Sequence, residues 1–441
     1  MKYHVIVFGC QMNISDAERI SAVLDLAKHK QTQNINDADL IVVTMCSVRQ
    51  SAVDRVHGLV EKFKQIKKTN TKLKTVLTGC VLKQDKNKFA EGFDYVVDIK
   101  EISKLPEMLG RKFAERQKTV RDNYLDITPK YSSKFSANVP IMTGCNNFCA
   151  YCVVPYARGR EISRPAKEIV QEIKKLVTPT SPSPSAKATA GQGLRGAREI
   201  WLLGQNVNSY KYPSTGSGQV NFANLLEQIN KIPGNFWIRF TSSHPKDFND
   251  EVIEALSVGG KITPYLNLPI QAGDDKVLKS MNRHYTVKDY KNKIKKLREK
   301  IPDIAISTDI IVGFPGETKK QFENTAKLFR DVKYDMAYIN KYSPRAGTAA
   351  AKLKDNVSWA EKKRREKVLT EILKQTALEK NKKLVGVETI VLFNENRGDN
   401  YYGKNEHYKT IKIKSKKNIL GKFIKVKITE AKPFTLNAEI I

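Results

Sequence analysis

Three cysteines, Cys145, Cys149 and Cys152, fall in one short run, TGCNNFCAYCVVP, with the spacing C-x3-C-x2-C. So compact a spacing lets a single loop present three thiolates to one centre, and thiolates suit iron-sulfur clusters. A cubane held by three cysteines leaves one iron to bind something else, whereas an electron-carrying ferredoxin normally closes each cluster with four. Zinc is the other reading, although zinc motifs more often pair C-x2-C with a distant second pair. The remaining cysteines, Cys10 in FGCQMN, Cys46 in VTMCSVR and Cys80 in LTGC, each follow a strand-like run. They are far apart in sequence, but parallel strands bring their carboxyl ends to one edge of a sheet, where open α/β folds place their ligands. They read as a second metal-ligating set, against the alternative of three buried thiols acting as small hydrophobes. All six are then assigned, three and three, and none is left to complete either site.

The elements around these residues divide the chain into three units, at 1–118, 131–365 and 378–441. The first alternates strands and helices: Tyr3 to Phe8, a helix from Ile14, Leu40 to Thr44, a helix from Ser51, Thr75 to Thr78 and Tyr95 to Val97. That pattern predicts an open parallel sheet. Ser15 and Glu18 have the spacing of a capping box for the first helix. A polar connection, near Gln117 to Lys134, ends the unit. In the second, runs at Val139 to Met142, Ile200 to Leu203, Trp237 to Phe240, Tyr265 to Leu268, Ile304 to Val312 and Met336 to Ile339 predict six strands of a partial (βα)6 barrel. Thr178 to Arg198 is a low-complexity Pro/Ser-rich insertion in a helix-to-strand loop, at the barrel face opposite the chemistry. Trp359 to Leu384 reads as an amphipathic helix with Leu369, Ile372, Leu373 and Thr376 on one face. Beyond it, Glu388 to Phe393, Tyr408 to Ile413 and Phe423 to Ile428 fit a small β-barrel. The fold class is thus α/β with a carboxy-terminal β-barrel.

Lys and Arg total 77 against 46 Asp and Glu, a formal net charge of +31 that favours a polyanionic partner, nucleic acid foremost. A lysine-rich surface with no such partner is the plain alternative. No apolar run approaches the roughly 20 residues that cross a bilayer, and the amino terminus has no secretory pattern. The expectation is a cytoplasmic protein whose cysteines serve metals or catalysis rather than disulfides.

The C-x3-C-x2-C loop opening a βα barrel resembles the radical S-adenosylmethionine superfamily. FGCQMN, CSVR, CNNFCAYCVVPYARGRE, LLGQNVNSY, RFTSSHPKDF, LPIQAGDDKVLKSMNRHYT, STDIIVGFPGE and KYSPRAGTAA together resemble its methylthiotransferases, over nearly the whole chain apart from the Pro/Ser insertion. SHPKDF and GQNVN point to the branch that acts on dimethylallyl-adenosine in tRNA. Val81-Leu82-Lys83 departs from the family, which usually has a small residue and Gln after this cysteine. The resemblance implies two [4Fe-4S] clusters and S-adenosylmethionine. One cluster, on Cys145, Cys149 and Cys152, binds and cleaves S-adenosylmethionine; the other, on Cys10, Cys46 and Cys80, serves sulfur insertion. A second S-adenosylmethionine gives the methyl group, and the target is C2 of an isopentenylated adenosine beside the anticodon. The terminal barrel resembles the TRAM module, an RNA-binding domain.

Barrel logic adds cofactor-positioning candidates, since loops after strands face the chemistry. Gly204, Gln205 and Asn206 end the second strand and resemble the stretch that meets the methionine amino group. Tyr151 is expected near the adenine. Ser242 and Ser243 follow the third strand, Gln271 the fourth, and Gly313 to Glu317 the fifth. Arg158 and Arg160 are candidates for phosphate or a cofactor carboxylate, against simple surface charge; His244 and His284 are read as structural. The expected partners are tRNA and a reducing electron donor, with no membrane, and the chain is expected to be a monomer. Other readings are a methylthiotransferase of threonylcarbamoyl-adenosine or of a ribosomal-protein aspartate, and a non-catalytic RNA-binding redox sensor.

Overall fold

The computed structural model describes residues 1–48, 50–110, 124–179, 194–213 and 218–441. The core of the Pro/Ser insertion and the start of the polar connection lie outside these residues.

The amino-terminal sheet has five parallel strands in the order Lys30–Gln31, Lys2–Phe8, Leu40–Cys46, Lys74–Cys80 and Tyr95–Val96. Every residue of Leu40–Cys46 is buried, as an apolar run in a parallel strand covered on both faces should be. Alternation divides it between two cores. Leu40 and Val42 pack with Ile20, Val23 and Leu24 of the helix Gln11–Leu26, while Ile41 and Val43 pack with Val53, Val56 and Phe63 of the helix Gln50–Thr69.

The first helix begins three residues earlier than the periodicity predicts. Cys10 is its N-cap, and Asn13 completes the reciprocal capping arrangement. The expected box at Ser15 and Glu18 is therefore incorrect: both lie inside the helix, where Ser15 accepts from Arg19 and Glu18 accepts from the Ser132 N–H and hydroxyl. Nor is the segment after residue 123 a polar linker. Tyr124, Leu125 and Ile127 are buried in the first sheet's core.

Six parallel strands build the central unit. Ser136–Pro140, Glu199–Leu203 and Trp237–Phe240 pair in that order, as do Tyr265–Asn267, Ala305–Val312 and Met336–Lys341; a parallel bridge from Ile238 to Ile262 links the two groups. Helices cover the outside, and four of them start at Asn221, Asn249, Thr286 and Thr318, each accepting a backbone N–H three residues on.

The helix Trp359–Lys382 lays Leu369 and Leu373 onto the barrel core. At its far end Asn381 Nδ2 donates to the carbonyls of Lys432 and Pro433 at 2.9 and 3.0 Å. The terminal unit is a closed five-stranded barrel in the order Glu388–Arg397, Asn400–Asn405, Thr410–Lys414, Leu436–Ile440, Phe423–Ala431. Two of these strands escape an apolar-run reading, and for Asn400–Asn405 the cause is local: its inward positions are Tyr401, Gly403 and Asn405. Arg239, fully buried, locks this barrel to the central one. It pairs with Glu199 at 2.7 Å and donates to the carbonyls of Asn405 (2.7 Å) and Glu406 (3.0 Å).

Candidate metal centres

The loop after the first barrel strand carries Cys145, Cys149 and Cys152, and its shape is held by contacts from elsewhere. Gly144 has φ +82, and a Cβ there would meet the Arg160 carbonyl oxygen at 2.0 Å, so no larger residue fits. Its N–H donates to Gln205 Oε1 at 2.6 Å. The N–H of Cys145 donates to the Gly159 carbonyl and that of Ala150 to the Met281 carbonyl, while Asn282 Nδ2 holds the Phe148 carbonyl at 3.0 Å. Two N–H groups point at sulfur: Arg283 Nη1 lies 3.4 Å from Cys149 Sγ and Asn147 Nδ2 lies 3.8 Å from Cys145 Sγ. Arg283 is buried and fixed by Tyr285 Oη and the Pro269 carbonyl, each at 2.6 Å. Burial, then the neighbouring Cys149, pushes the Cys152 thiol up to about 12, and burial raises Cys145 as well. Tyr151 packs against the barrel core, its phenol held neutral by burial.

The second set stands at the carboxyl edge of the amino-terminal sheet. Cys46 and Cys80 are the last residues of adjacent strands and lie directly opposite one another. Cys10 caps the helix after the first strand, and Asn13 ties it in: Asn13 Oδ1 accepts from the Cys10 N–H at 3.2 Å, while Nδ2 donates to the Met45 carbonyl at 3.2 Å. Gly79, at φ +104, leaves room where a Cβ would meet that same carbonyl at 2.6 Å. A hydrogen bond with Cys46, and then burial, pushes the Cys80 thiol up; burial and Cys80 do the same to Cys10. Arg158 Nε donates to Cys80 Sγ at 3.0 Å. Arg158 is thus neither the contact to phosphate or a cofactor carboxylate nor the surface charge that its sequence context suggests. It is buried, ion-paired to Asp16, and the N–H left over points at sulfur. Arg160 is exposed and stacks its guanidinium 4.4 Å from the Phe148 ring centroid.

No disulfide joins any of the six. Among the described residues no three His, Cys, Asp or Glu side chains close on a single ion, as a mononuclear zinc site demands. Both sets nonetheless suit iron-sulfur ligation. Thiols bind metal as thiolates, giving up their protons to it, and guanidinium and amide N–H groups are already aimed at sulfur as the acceptor in both sets.

The other candidates fall into two groups. Asn206 Nδ2 donates to Asp247 Oδ2 at 2.7 Å, and Asn147 of the cysteine loop reaches the same oxygen. Asn206 Oδ1, Asn208 Nδ2, Ser243 Oγ and His244 Nε2 are buried without a partner, a polar set suited to a polar ligand such as S-adenosylmethionine. His244 accepts the Lys246 N–H on Nδ1 at 3.2 Å, so its proton sits on Nε2. Burial, with Arg283 nearby, pulls its pKa down to about 2. Gly204 sits where a Cβ would meet Met142 at 2.6 Å. Ser242 (φ +64) gives its carbonyl to the Val207 N–H, and Gln271 (φ +76) bridges the backbone of the Ala305–Val312 strand. Gly313 is tied elsewhere: its N–H goes to Glu317, and its Cα faces Lys362 of the long helix. Asn13, Asp16, Asp247 and Arg283 were unassigned in the sequence reading. Cys10 and Asn13, three apart at a helix start, are the one pair whose spacing could have signalled the link.

Three family models match the chain: the Uncharacterized protein family UPF0004 over residues 2–99, the Radical SAM superfamily over 139–329 and the TRAM domain over 382–441. The fold is similar to that of a radical S-adenosylmethionine methyltransferase from Kitasatospora setae, with a TM-score of 0.53 and 14% identity over 90% of this chain and 79% of that one. A cobalamin-dependent S-adenosylmethionine radical enzyme aligns with a TM-score of 0.51 and 11% identity, covering 86% of this chain and 56% of the other. Sequence relatives are far nearer. The tRNA-2-methylthio-N(6)-dimethylallyladenosine synthase of Dictyoglomus thermophilum is 37% identical, covering 100% of this chain and 98% of the relative. That of Carboxydothermus hydrogenoformans is 38% identical over 100% and 99%, and that of a Thermoanaerobacter species 39% over 100% and 92%. With this identity along its full length and radical S-adenosylmethionine and TRAM matches in the expected places, the chain belongs to the tRNA-2-methylthio-N(6)-dimethylallyladenosine synthase family.

Proposed function

We propose that the protein methylthiolates C2 of N6-isopentenyladenosine next to the anticodon of tRNA, with S-adenosylmethionine as both radical source and methyl donor. The observation that carries this is the pair of three-thiol sets, each with one buried arginine donating to a sulfur, in a chain 37% to 39% identical to named synthases from end to end. Cys145, Cys149 and Cys152 hold the cluster that engages S-adenosylmethionine, and Cys10, Cys46 and Cys80 hold the auxiliary one. When bound, these groups supply a 5'-deoxyadenosyl radical and the inserted sulfur, chemistry that no side chain here could perform on an unactivated C–H bond.

The chain's own residues bind, orient and shield. Gln205 fixes the start of the cysteine loop through Gly144, and Arg283 braces Cys149. Asn206, Ser243 and the Nε2–H of His244 offer buried hydrogen-bonding groups to the cofactor. Tyr151, between Cys149 and Cys152, packs on the barrel core, and Gly204, Ser242 and Gln271 shape the strand ends beside the loop, while Gly313 serves the packing of the long helix instead. Residues 1–118 form the auxiliary-cluster unit, 131–365 the radical unit and 378–441 the RNA-binding unit, whose task fits the net charge of +31. The protein works as a cytoplasmic monomer fed by a low-potential electron donor; no helix among the described residues is long and apolar enough to cross a membrane. Mass spectrometry of tRNA nucleosides from a strain lacking the gene tests the assignment. Isopentenyladenosine should accumulate without its methylthio group; undiminished methylthio-isopentenyladenosine defeats the proposal.

A further inference from the structure

We infer that Arg158 is a positioning residue of the auxiliary centre, holding the Cys80 sulfur through Nε–H and favouring that centre's reduced state, with Asp16 keeping the guanidinium in place. The inference rests on the proposed ligation of a cluster by Cys10, Cys46 and Cys80.

Arg158 and Asp16 are 1% and 0% exposed. Asp16 spends both oxygens on the two terminal nitrogens, Nη1 to Oδ1 at 3.2 Å and Nη2 to Oδ2, and Tyr124 donates to Oδ1 as well. A side-on pair would have used Nε. This end-on pair leaves Nε–H free, and it points at Cys80 Sγ 3.0 Å away. A neutral thiol is a weak acceptor, while a metal-bound thiolate is a charged one, so the Nε–H that Asp16 leaves over is best matched when the sulfur carries charge. An ion pair serving packing alone has no need of the sulfur, and burying it without further hydrogen bonds is often unfavourable against apolar side chains.

The position of Arg158 in the chain adds a second argument. It is the last residue of the short helix Val154–Arg158, which starts two residues after Cys152, and the next residue, Gly159, accepts the Cys145 N–H. Arg158 thus links the barrel's cysteine loop directly to a sulfur of the other set. Arg283 holds the equivalent place on Cys149.

Reduction of a [4Fe-4S] centre adds one electron and one negative charge and breaks no bond; in the test the electron comes from dithionite. N–H groups and positive charge at a cluster sulfur stabilise the more negative form and raise its potential. Anaerobic redox titration of the full-length, two-cluster protein, followed by electron paramagnetic resonance, gives one wave per cluster. In Arg158→Gln the auxiliary wave should move down so that its reduced-to-oxidised ratio at fixed potential falls about tenfold, equal to about 59 mV for one electron. The other wave should stay, and Arg283→Gln should move only that other wave.

Removing one member of a buried pair is destabilising, so the neutral pair Asp16→Asn with Arg158→Gln is the second variant and should move the auxiliary wave down as well. Asp16→Asn alone keeps the cation and loses its counter-charge, and should move it up. Opposite signs for the two single substitutions support a tuning role. An unmoved auxiliary wave in the double variant, or single substitutions that shift it the same way, overturns it. A wild-type protein with iron for only one cluster defeats the ligation reading instead.

Discussion

Replacing Arg239 by methionine removes the cation at the join between the two barrels while keeping much of its volume. Arg239 is fully buried, its Nε is 2.7 Å from Glu199 Oε1, and its terminal nitrogens hold the carbonyls of Asn405 and Glu406. The guanidinium also lies 4.8 Å from the Trp237 ring centroid and 5.0 Å from that of Tyr408. Hydrogen bonds from a charged donor contribute about 1.5–3 kcal/mol each, so the two carbonyl bonds together account for at least about 3 kcal/mol of docking of the turn after Asn405. That corresponds to roughly two orders of magnitude in the local opening equilibrium. Hydrogen exchange reads it directly: the Tyr408 amide, bonded to the Asn405 carbonyl at 3.0 Å, should exchange about a hundredfold faster. The amides of the strand Lys74–Cys80, in the other sheet, should not change. Glu199 becomes a buried charge without its cation, at a further cost of about 3–5 kcal/mol to the central barrel. Adding Glu199→Gln should recover that part but not the docking of the turn. Unchanged protection of Tyr408 in the single variant refutes the reasoning, because the turn would then be held by Lys409 on Asp335 and by the Tyr408 ring against Trp201 and Tyr265.

Further outcomes follow from the two thiol sets and their surroundings. Cys149→Ala should abolish 5'-deoxyadenosine formation and halve the iron content, whereas Cys46→Ala should leave S-adenosylmethionine cleavage intact and stop sulfur insertion; loss of all iron in either variant contradicts separate sites. Gly144→Ala forces a side chain into a φ of +82 and against the Arg160 carbonyl, so the barrel set should lose its iron while circular dichroism stays that of wild type. His244 is neutral in the fold because its pKa is pulled from 6.5 to about 2. Above pH 6.5 the folded and unfolded states bind the same number of protons; below it only the unfolded state takes one, so stability falls with pH by up to about 1.4 kcal/mol per unit. In thermal melts over the two pH units or so below 6.5, His244→Gln should therefore lose less stability than wild type, and parallel pH profiles would count against the buried neutral imidazole.

Local patterns located most of the elements. Trp237–Phe240 is a strand at the residues where its apolar run ends, and the helix Trp359–Lys382 lies within two residues of its predicted limits. Where the reading failed, a side chain was serving a distant partner. Ser15 and Glu18 have capping-box spacing, yet Glu18 is taken by Ser132, 114 residues away, and Cys10 takes the cap. Asn400–Asn405 looks like a loop because Gly403 and Asn405 face inward, and only the closure of the barrel buries them. Arg158 looks like a surface cation because its neighbours in sequence are polar or small, while Asp16 and Cys80 are 142 and 78 residues away.

The sequence by itself determined the thiol inventory, the compact C-x3-C-x2-C loop, the three kinds of unit and the basic balance, since these depend on residue type and short spacing. The tertiary structure alone decided that Cys46 and Cys80 end adjacent strands in register, that Asn13 ties Cys10 to that edge, and that one buried arginine donates to a sulfur of each set. The physical reason is range. Caps, turns and periodicity act within a few residues, whereas a desolvated charge takes whichever partner the folded chain brings within hydrogen-bonding distance.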